Sequence, residues 1–200
     1  MKLNKKLLAM VVLGGMAVSG NSMAGGPSAQ ALADSCAGCH GVDGSSNGPA
    51  IPSLAEASPD YFIEMMTAYK SKDADDVPNN TIMTRIAKGY TDDQIKLMAN
   101  YFAKQTMTRT PQSFDATQAK AGAKLHKKYC EKCHEDGGRS AEDDSGILAG
   151  QWAPYMHYSM NDFIAGDRSM PKKMKKKVKK ALKADPKAME KLIHFYASQK

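Results

Sequence analysis

The 200-residue sequence predicts an all-α protein built from two similar halves. No segment shows the alternation of apolar and polar side chains that indicates a half-buried strand, whereas several segments carry apolar residues at helical spacing. Shifting the chain against itself by 94 residues also aligns two copies of one short motif, together with the residues around them, without a gap. We therefore expect a helical unit that occurs twice.

The repeat extends from the start to the end of each half. The aligned positions are Cys36 with Cys130, Cys39 with Cys133, His40 with His134, Leu54-Ala55 with Leu148-Ala149, Tyr61 with Tyr155, and Tyr101-Phe102 with Phe195-Tyr196. Between the halves, residues 108–113 are polar and contain a proline, which is typical of a connection that ends a helix. We expect domains at residues 25–110 and 111–200.

Helix-start signals give each half a similar set of elements. In the first half they predict helices over about 28–38, 59–70 and 92–104, with Thr91 as the cap of the last one. In the second half they predict helices over about 116–131 and 153–164, and a final helix that starts at Asp185-Pro186. Residues 41–52 are rich in Gly, Ser, Asn and Pro and are predicted to form a loop.

The first 24 residues have the pattern of a secretory signal peptide. Lys2, Lys5 and Lys6 precede an apolar stretch over residues 7–18, and Ser22-Met23-Ala24 offers small residues for cleavage. We expect export, which in a bacterium means delivery to the periplasm, with an uncleaved amino-terminal anchor as the alternative. No later segment approaches the roughly 20 apolar residues of a membrane helix, so no integral membrane segment is expected after cleavage.

Charge divides unevenly between the halves. Residues 25–112 hold 7 Lys and Arg against 10 Asp and Glu, whereas residues 113–200 hold 18 against 11. Such polarity can orient a charged partner during encounter. Residues 172–183 contain eight lysines, a density that also occurs in nucleic-acid and anionic-lipid surfaces. The predicted export and the lack of interleaved aromatic residues argue against nucleic acid.

All four cysteines lie in two Cys-x-x-Cys-His motifs, Cys36-Ala37-Gly38-Cys39-His40 and Cys130-Glu131-Lys132-Cys133-His134. Two cysteines on one helical turn can each form a thioether to a haem vinyl group, and the following histidine can bind the iron. The motifs predict two covalently bound haems c, held by Cys36, Cys39, Cys130 and Cys133, with His40 and His134 as axial ligands. A zinc site or a redox disulfide is the alternative, but neither requires a histidine after both pairs.

The sixth iron ligand is predicted to be a methionine, because a neutral thioether favours ferrous iron and closes the iron to substrates. Met83 lies in a turn-rich stretch between two predicted helices, and Met170 precedes Pro171 in the corresponding part of the second half. Met174 competes with Met170, which we favour because Met174 falls within a predicted helix. The other methionines are expected to pack in the core.

Neighbouring residues have predicted supporting roles. A backbone carbonyl within residues 49–52, and another at Ile147-Leu148, is expected to accept the second ring N–H of each axial histidine. Trp152, Tyr155 and Tyr158 are candidates for haem contact or ordinary core packing. The three remaining histidines are alternatives to methionine as iron ligands, but they have no equivalents in the first half and are expected to be structural or exposed; they are His126, His157 and His194.

Longer stretches of the chain support a resemblance to a known family. They are Cys36 to Gly41, Thr81-Ile82-Met83, Arg85 to Tyr90, Gly122 to His126, Tyr129 to His134, Ile147 to Trp152, and Phe195 to Gln199. In these stretches the chain resembles diheme class I cytochromes c, and more closely the cytochrome subunits of flavocytochrome c sulfide dehydrogenases.

This resemblance implies two tandem class I cytochrome c domains related by a pseudo-twofold, each wrapping one covalent haem. It implies ligation by His40 with Met83 and by His134 with Met170. It also implies a flavoprotein partner whose FAD oxidises sulfide, and a soluble redox acceptor protein. In that family the chain carries electrons and is not catalytic by itself.

Two other functions fit the motifs. A freestanding periplasmic diheme electron carrier needs the same haem sites but no flavoprotein partner. A haem peroxidase needs at least one iron with an open or weakly held position. FAD is expected only on a partner, since the chain contains no Gly-x-Gly-x-x-Gly motif.

Overall fold

The computed structural model describes residues 26–71 and 82–200, so the predicted signal peptide lies outside the described residues. In these two ranges the chain forms helices and no strands. The helices are α1 (Ala29–Asp34), α2 (Ala37–His40), α3 (Pro59–Lys70), α4 (Met83–Ile86), α5 (Asp92–Phe102), α6 (Ala116–Tyr129), α7 (Glu135–Gly138), α8 (Ala153–Ala165), α9 (Lys172–Ala184) and α10 (Ala188–Ala197). The prediction of an all-α fold is confirmed.

Side-chain caps fix where three of the predicted helices begin. Ser58 Oγ accepts from the Tyr61 N–H at the start of α3, and Asp115 Oδ1 accepts from the Gln118 N–H at the start of α6. At α5, Thr91 and Gln94 form a reciprocal capping box. These caps satisfy backbone donors that have no partner within the helix, which confirms the predicted starts.

Two helix limits differ from the prediction. The first helix ends at Asp34 rather than near 38, because the Ser35 N–H and hydroxyl both donate to the Leu32 carbonyl and close the last turn. The final helix starts at Ala188 rather than at Asp185-Pro186. There Asp185 accepts from the Lys187 N–H with its side chain and from the Ala188 N–H with its carbonyl, which forms a separate turn before α10.

The sequence repeat is reproduced in the backbone hydrogen bonds. Gly44 O accepts from Leu54 N and Ala55 N, Gly138 O accepts from Leu148 N and Ala149 N, Glu56 N donates to Phe102 O, and Gly150 N donates to Tyr196 O. Every pair is displaced by the same 94 residues. Both members of two pairs also have a positive φ, namely Gly44 with Gly138 and Glu56 with Gly150. The two halves therefore share one fold.

Each half has its own apolar core. The first contains the buried residues Leu32, Ala33, Phe62, Met66, Ala87, Ile95, Met98, Ala99 and Phe102. The second contains Met156, Leu192, Ile193 and Tyr196. In the first half α1 packs on α5, and in the second α6 packs on α10, so the helices at the two ends of each half cross one another. In each half the Cys-x-x-Cys-His motif follows directly after the first of these two helices.

The crossing of α6 and α10 depends on a close approach at Gly122. A Cβ at this position would lie 2.0 Å from the Lys191 carbonyl oxygen and 2.8 Å from Phe195 Cβ. We expect Gly122→Ala to destabilise the haem-loaded protein by about 1–3 kcal/mol, because the two backbones must move apart. Chemical denaturation measures this change. Gly48→Ala is the control, since nothing lies within 4 Å of a Cβ there; equal stability of the two variants would contradict the prediction.

The two halves contact each other through corresponding segments. Trp152 Nε1 donates to Ser46 O at 2.8 Å, and Gln151 pairs with Ser53, so the first loop contacts the start of α8. Reciprocally, Ser58 Oγ donates to Asp144 Oδ1 at 2.7 Å, so the second loop contacts the start of α3. This exchange of equivalent segments is the contact pattern of a pseudo-twofold.

The connection over 103–115 is hydrogen-bonded to both halves. Glu56 accepts from the Met107 N–H and from the Arg109 guanidinium, whose Nη2 lies 2.5 Å from Glu56 Oε2. Arg109 Nε also donates to the Ala149 carbonyl in the second half at 3.3 Å. We propose that the domains meet within this connection, at residues 110 and 111. None of the helices in the described ranges is long and apolar enough to span a bilayer.

Candidate haem-binding sites

One backbone hydrogen bond is common to the two Cys-x-x-Cys-His motifs, although the first contains the short helix α2 and the second is a turn. The His40 N–H donates to the Cys36 carbonyl at 2.9 Å, and the His134 N–H donates to the Cys130 carbonyl at 3.1 Å. Two cysteines and one histidine therefore lie on one turn of chain in each half. All four cysteines are unpaired thiols, and burial raises the pKa of Cys36 and of Cys130.

The two motif histidines are held by backbone carbonyls. His40 Nδ1–H donates to the Pro52 carbonyl at 2.8 Å, and His134 Nδ1–H donates to the Gly146 carbonyl at 3.2 Å. Burial lowers the pKa of both imidazoles, which favours the neutral form that binds metals. With Nδ1 donating, Nε2 is the nitrogen with a lone pair for iron. The predicted carbonyl within 49–52 is confirmed, and its counterpart lies one residue before the predicted Ile147.

These donors fit covalent haem. Haem brings four nitrogen ligands of its own, so the protein need supply only thiols for attachment and axial ligands for the iron. A zinc ion would need about four protein ligands in one place. Over residues 26–71 and 82–200, no three His, Cys, Asp or Glu side chains come together in a group that could hold a metal ion.

The predicted methionine ligands lie between the second and third long helices of each half. Met83 is half-buried, begins the short helix α4 and packs against the first core. Met170 is half-buried in the segment between α8 and α9, while Met174 is half-buried in the first turn of α9. Because Met83 itself lies in a helical turn, a helical position does not argue against Met174. Both remain candidates for the second site.

The remaining histidines have different surroundings. His126 is buried, its Nδ1 lies 2.9 Å from the Tyr196 hydroxyl, and its Nε2 contacts the Glu131 carboxylate. His194 Nδ1 accepts from the Asp115 N–H, and His157 is exposed. His126 therefore joins α6 to α10, in keeping with the expected structural role.

The three aromatic candidates for haem contact lie in different surroundings. Trp152 lies at the interface between the halves, where it donates to Ser46 O. Tyr155 is close to Tyr61, Tyr69 and Arg168, and burial raises its pKa. Tyr158 is 60% exposed, unlike the other two. Tyr155 is therefore a more enclosed candidate for haem contact than Tyr158, which faces solvent.

Two residues at the interface were not singled out as functional from the sequence. Gln151 is 4% exposed and binds both the N–H and the carbonyl of Ser53. Arg168 is 6% exposed, lies 4.3 Å from the centre of the Phe163 ring and donates to Ser159 Oγ. Neither has an equivalent in the first half, and that asymmetry within the repeat was the available signal.

Two attachment motifs on a duplicated helical fold, each with a carbonyl-bound histidine, define a protein of the covalent-haem class. Comparisons with known proteins agree. Residues 28–106 match the family described as Cytochrome c. The chain is 33% identical to cytochrome c-554(548) of Halomonas halodenitrificans over 70 residues, which are 35% of this chain and 83% of that protein.

Two further relatives extend the comparison. The chain is 44% identical over 71 residues to the cytochrome subunit of sulfide dehydrogenase from Chlorobaculum tepidum, a match to 36% of this chain and only 60% of that subunit. The fold is similar to reduced cytochrome c4 from Pseudomonas stutzeri, with a TM-score of 0.71 and 25% identity over 86% of this chain and 97% of that one.

The chain belongs to the cytochrome c family. Its two attachment motifs make it a diheme cytochrome c, a class of electron-carrying protein, similar to the sulfide dehydrogenase cytochrome subunit and to cytochrome c4.

Proposed function

We propose that the chain is the electron-transfer subunit of a sulfide dehydrogenase. It receives electrons from a flavoprotein subunit that carries FAD and passes them to a soluble redox acceptor protein. The observation that carries the proposal is the pair of equivalent sites in which His40 and His134 are oriented by the Pro52 and Gly146 carbonyls. The similarity to a sulfide dehydrogenase cytochrome subunit supports sulfide as the electron source.

The proposed ligands follow from the motifs and from the repeat. Thioethers form at Cys36, Cys39, Cys130 and Cys133, and the axial ligands are His40 with Met83 and His134 with Met170. Bound haem supplies reversible one-electron chemistry at iron. The chain's own residues attach the haem, fix the imidazole planes and fill the second axial position. With both positions filled, this subunit has no coordination site for substrate and is not catalytic by itself.

The proposal places the protein in the periplasm. Residues 1–24 are the proposed signal peptide, and c-type haem is attached after export. The two haem sites are then on the same side of the membrane as a secreted flavoprotein.

The charge distribution favours an acceptor with an acidic surface. All eight lysines of α9 are exposed, and the helix contains no acidic residue. The nearest carboxylate in sequence, Asp185, is paired with Lys191 at 2.5 Å. A surface of one charge sign raises the encounter rate with a partner of opposite sign, and this effect weakens as salt is added.

A freestanding periplasmic diheme carrier is the second candidate. The likeness to cytochrome c4 favours it, because that likeness spans 97% of the cytochrome c4 chain, whereas the sulfide dehydrogenase match spans 60% of the subunit. The two candidates share the haem sites and differ only in whether a flavoprotein is bound.

Reconstitution with a purified sulfide dehydrogenase flavoprotein distinguishes the candidates. We expect the haem-loaded chain to co-elute with the flavoprotein in gel filtration, and its haem absorption to show reduction only when sulfide and flavoprotein are both present. A small monohaem cytochrome c is the control for unspecific reduction. If the chain elutes alone and is reduced no faster than the control, the freestanding carrier is the better assignment.

A further inference from the structure

One peptide group joins the first axial histidine to the second half of the protein. The Pro52 carbonyl accepts from His40 Nδ1–H at 2.8 Å. The N–H of the same peptide belongs to Ser53 and donates to Gln151 Oε1 at 2.9 Å, and Gln151 Nε2 donates to the Ser53 carbonyl at 3.0 Å. Gln151 and Ser53 are 4% and 8% exposed, so water does not compete for these bonds.

Hydrogen bonds in such a chain strengthen one another. When the Ser53 N–H donates to Gln151, the peptide is polarised and its carbonyl oxygen at Pro52 becomes more negative. That oxygen then attracts the Nδ1 proton of His40 more strongly, and the imidazole becomes a more basic ligand. A more basic ligand favours ferric over ferrous iron, so the reduction potential falls.

The second site lacks this arrangement. The equivalent peptide joins Gly146 to Ile147, and the Gly146 carbonyl accepts from His134 Nδ1–H at the longer distance of 3.2 Å. Across residues 26–71 and 82–200, the Ile147 N–H has no hydrogen-bond acceptor. Ile147 is instead buried against Ala55 and Met107. The repeat places Ala57 where the second half has Gln151, so no side-chain amide is available.

We propose that Gln151 is a positioning residue for the first haem. It acts across the domain interface, through the Pro52–Ser53 peptide and His40, and lowers the potential of the first haem relative to the second. The inference rests on the proposed ligation of iron by His40. It assigns part of the difference between the two haems to one side chain that belongs to the opposite half.

The test is a potentiometric titration of the haem-loaded full chain carrying Gln151→Leu. We expect the reduction potential of the first haem to rise while that of the second does not change. The equilibrium distribution of one electron between the two haems should change by roughly threefold, which is about 28 mV, since a tenfold change is about 59 mV. Labelling histidine with ¹⁵N assigns the site. The His40 Nδ1–H resonance is expected to move upfield, as in a weaker hydrogen bond.

Trp152→Phe is the matched control. It removes another hydrogen bond between the halves, from Trp152 Nε1 to Ser46 O, without touching the Pro52–Ser53 peptide. It is expected to leave both potentials and the His40 resonance unchanged. If Gln151→Leu and Trp152→Phe shift both haems alike, the effect is a general loosening of the interface and the proposal is wrong.

Gln151→Glu keeps the proposal testable if the leucine variant does not fold. It retains an oxygen opposite the Ser53 N–H and is expected to shift the first potential downward, the reverse of Gln151→Leu. No shift, or an upward shift, overturns the proposal. The spectrum of the parent protein shows whether His40 binds iron. If it does not, the proposed ligation is wrong. If His40 binds iron but the Gln151 variants do not shift the potential of the first haem, only the proposed role of Gln151 is wrong.

Discussion

Replacing Cys130 and Cys133 with serine is expected to remove one of the two haems. Serine is close to cysteine in size but cannot form a thioether, so about half of the haem should remain attached under denaturing conditions. The first half should be unaffected, because it has its own core and its own motif. Mass spectrometry of the intact chain, expressed in cells that mature c-type cytochromes, counts the haems directly.

The matched variant replaces Cys36 and Cys39 and should retain the other haem. Together the two variants would give complementary single-haem spectra that add up to the parent spectrum. Two haems still covalently attached to the Cys130 and Cys133 variant would show that the second site is misassigned. Zinc in place of iron in the parent protein would contradict both assignments.

Replacing Met83 with alanine is expected to open the first iron. Without the thioether, ferrous iron loses its soft sixth ligand, so the potential should fall by on the order of 0.1 V, within the range of about 0.8 V that axial ligation covers. The open position should bind carbon monoxide. Met98, which is fully buried in the first core, is the control: Met98→Leu should leave ligation and gas binding unchanged.

The same measurement decides between the two candidates in the second half. Met170→Ala and Met174→Ala differ by one turn of chain and remove the same side chain, so each is the control for the other. We expect carbon monoxide binding at the second haem in the Met170 variant only. If carbon monoxide binds in the Met174 variant instead, Met174 is the iron ligand. If it binds in neither variant, neither methionine is the ligand.

Local signals were sufficient for most helices and for the attachment motifs. Ser58, Thr91 and Asp115 cap helices through residues only three positions away, so the sequence contains the whole interaction. The carbonyl that orients His40 was predictable as well, because it lies 12 residues along the same loop. In the second half the acceptor is Gly146, also 12 residues after its histidine, so the expected Ile147 was wrong by one residue although the repeat offset points to Gly146.

Tertiary contacts could not be predicted in this way. Gln151 and Ser53 are 98 residues apart in sequence, and their pairing depends on how the halves pack. Gly122 is an ordinary small residue in the sequence and becomes critical only because the Lys191 backbone passes beside it. Similarly, the choice between Met170 and Met174 depends on which side chain faces the iron, and helical periodicity does not determine that.

The connection that contains Met107 and Arg109 is not a flexible linker, because it is hydrogen-bonded to Glu56 in the first half and to Ala149 in the second. Two domains joined by a flexible linker must diffuse together before an electron can pass between them, so electron exchange between such domains slows in a viscous solvent. Here these hydrogen bonds hold the two halves together, so an electron passing between haems bound in them would cross a constant distance, and we expect solvent viscosity not to change its rate.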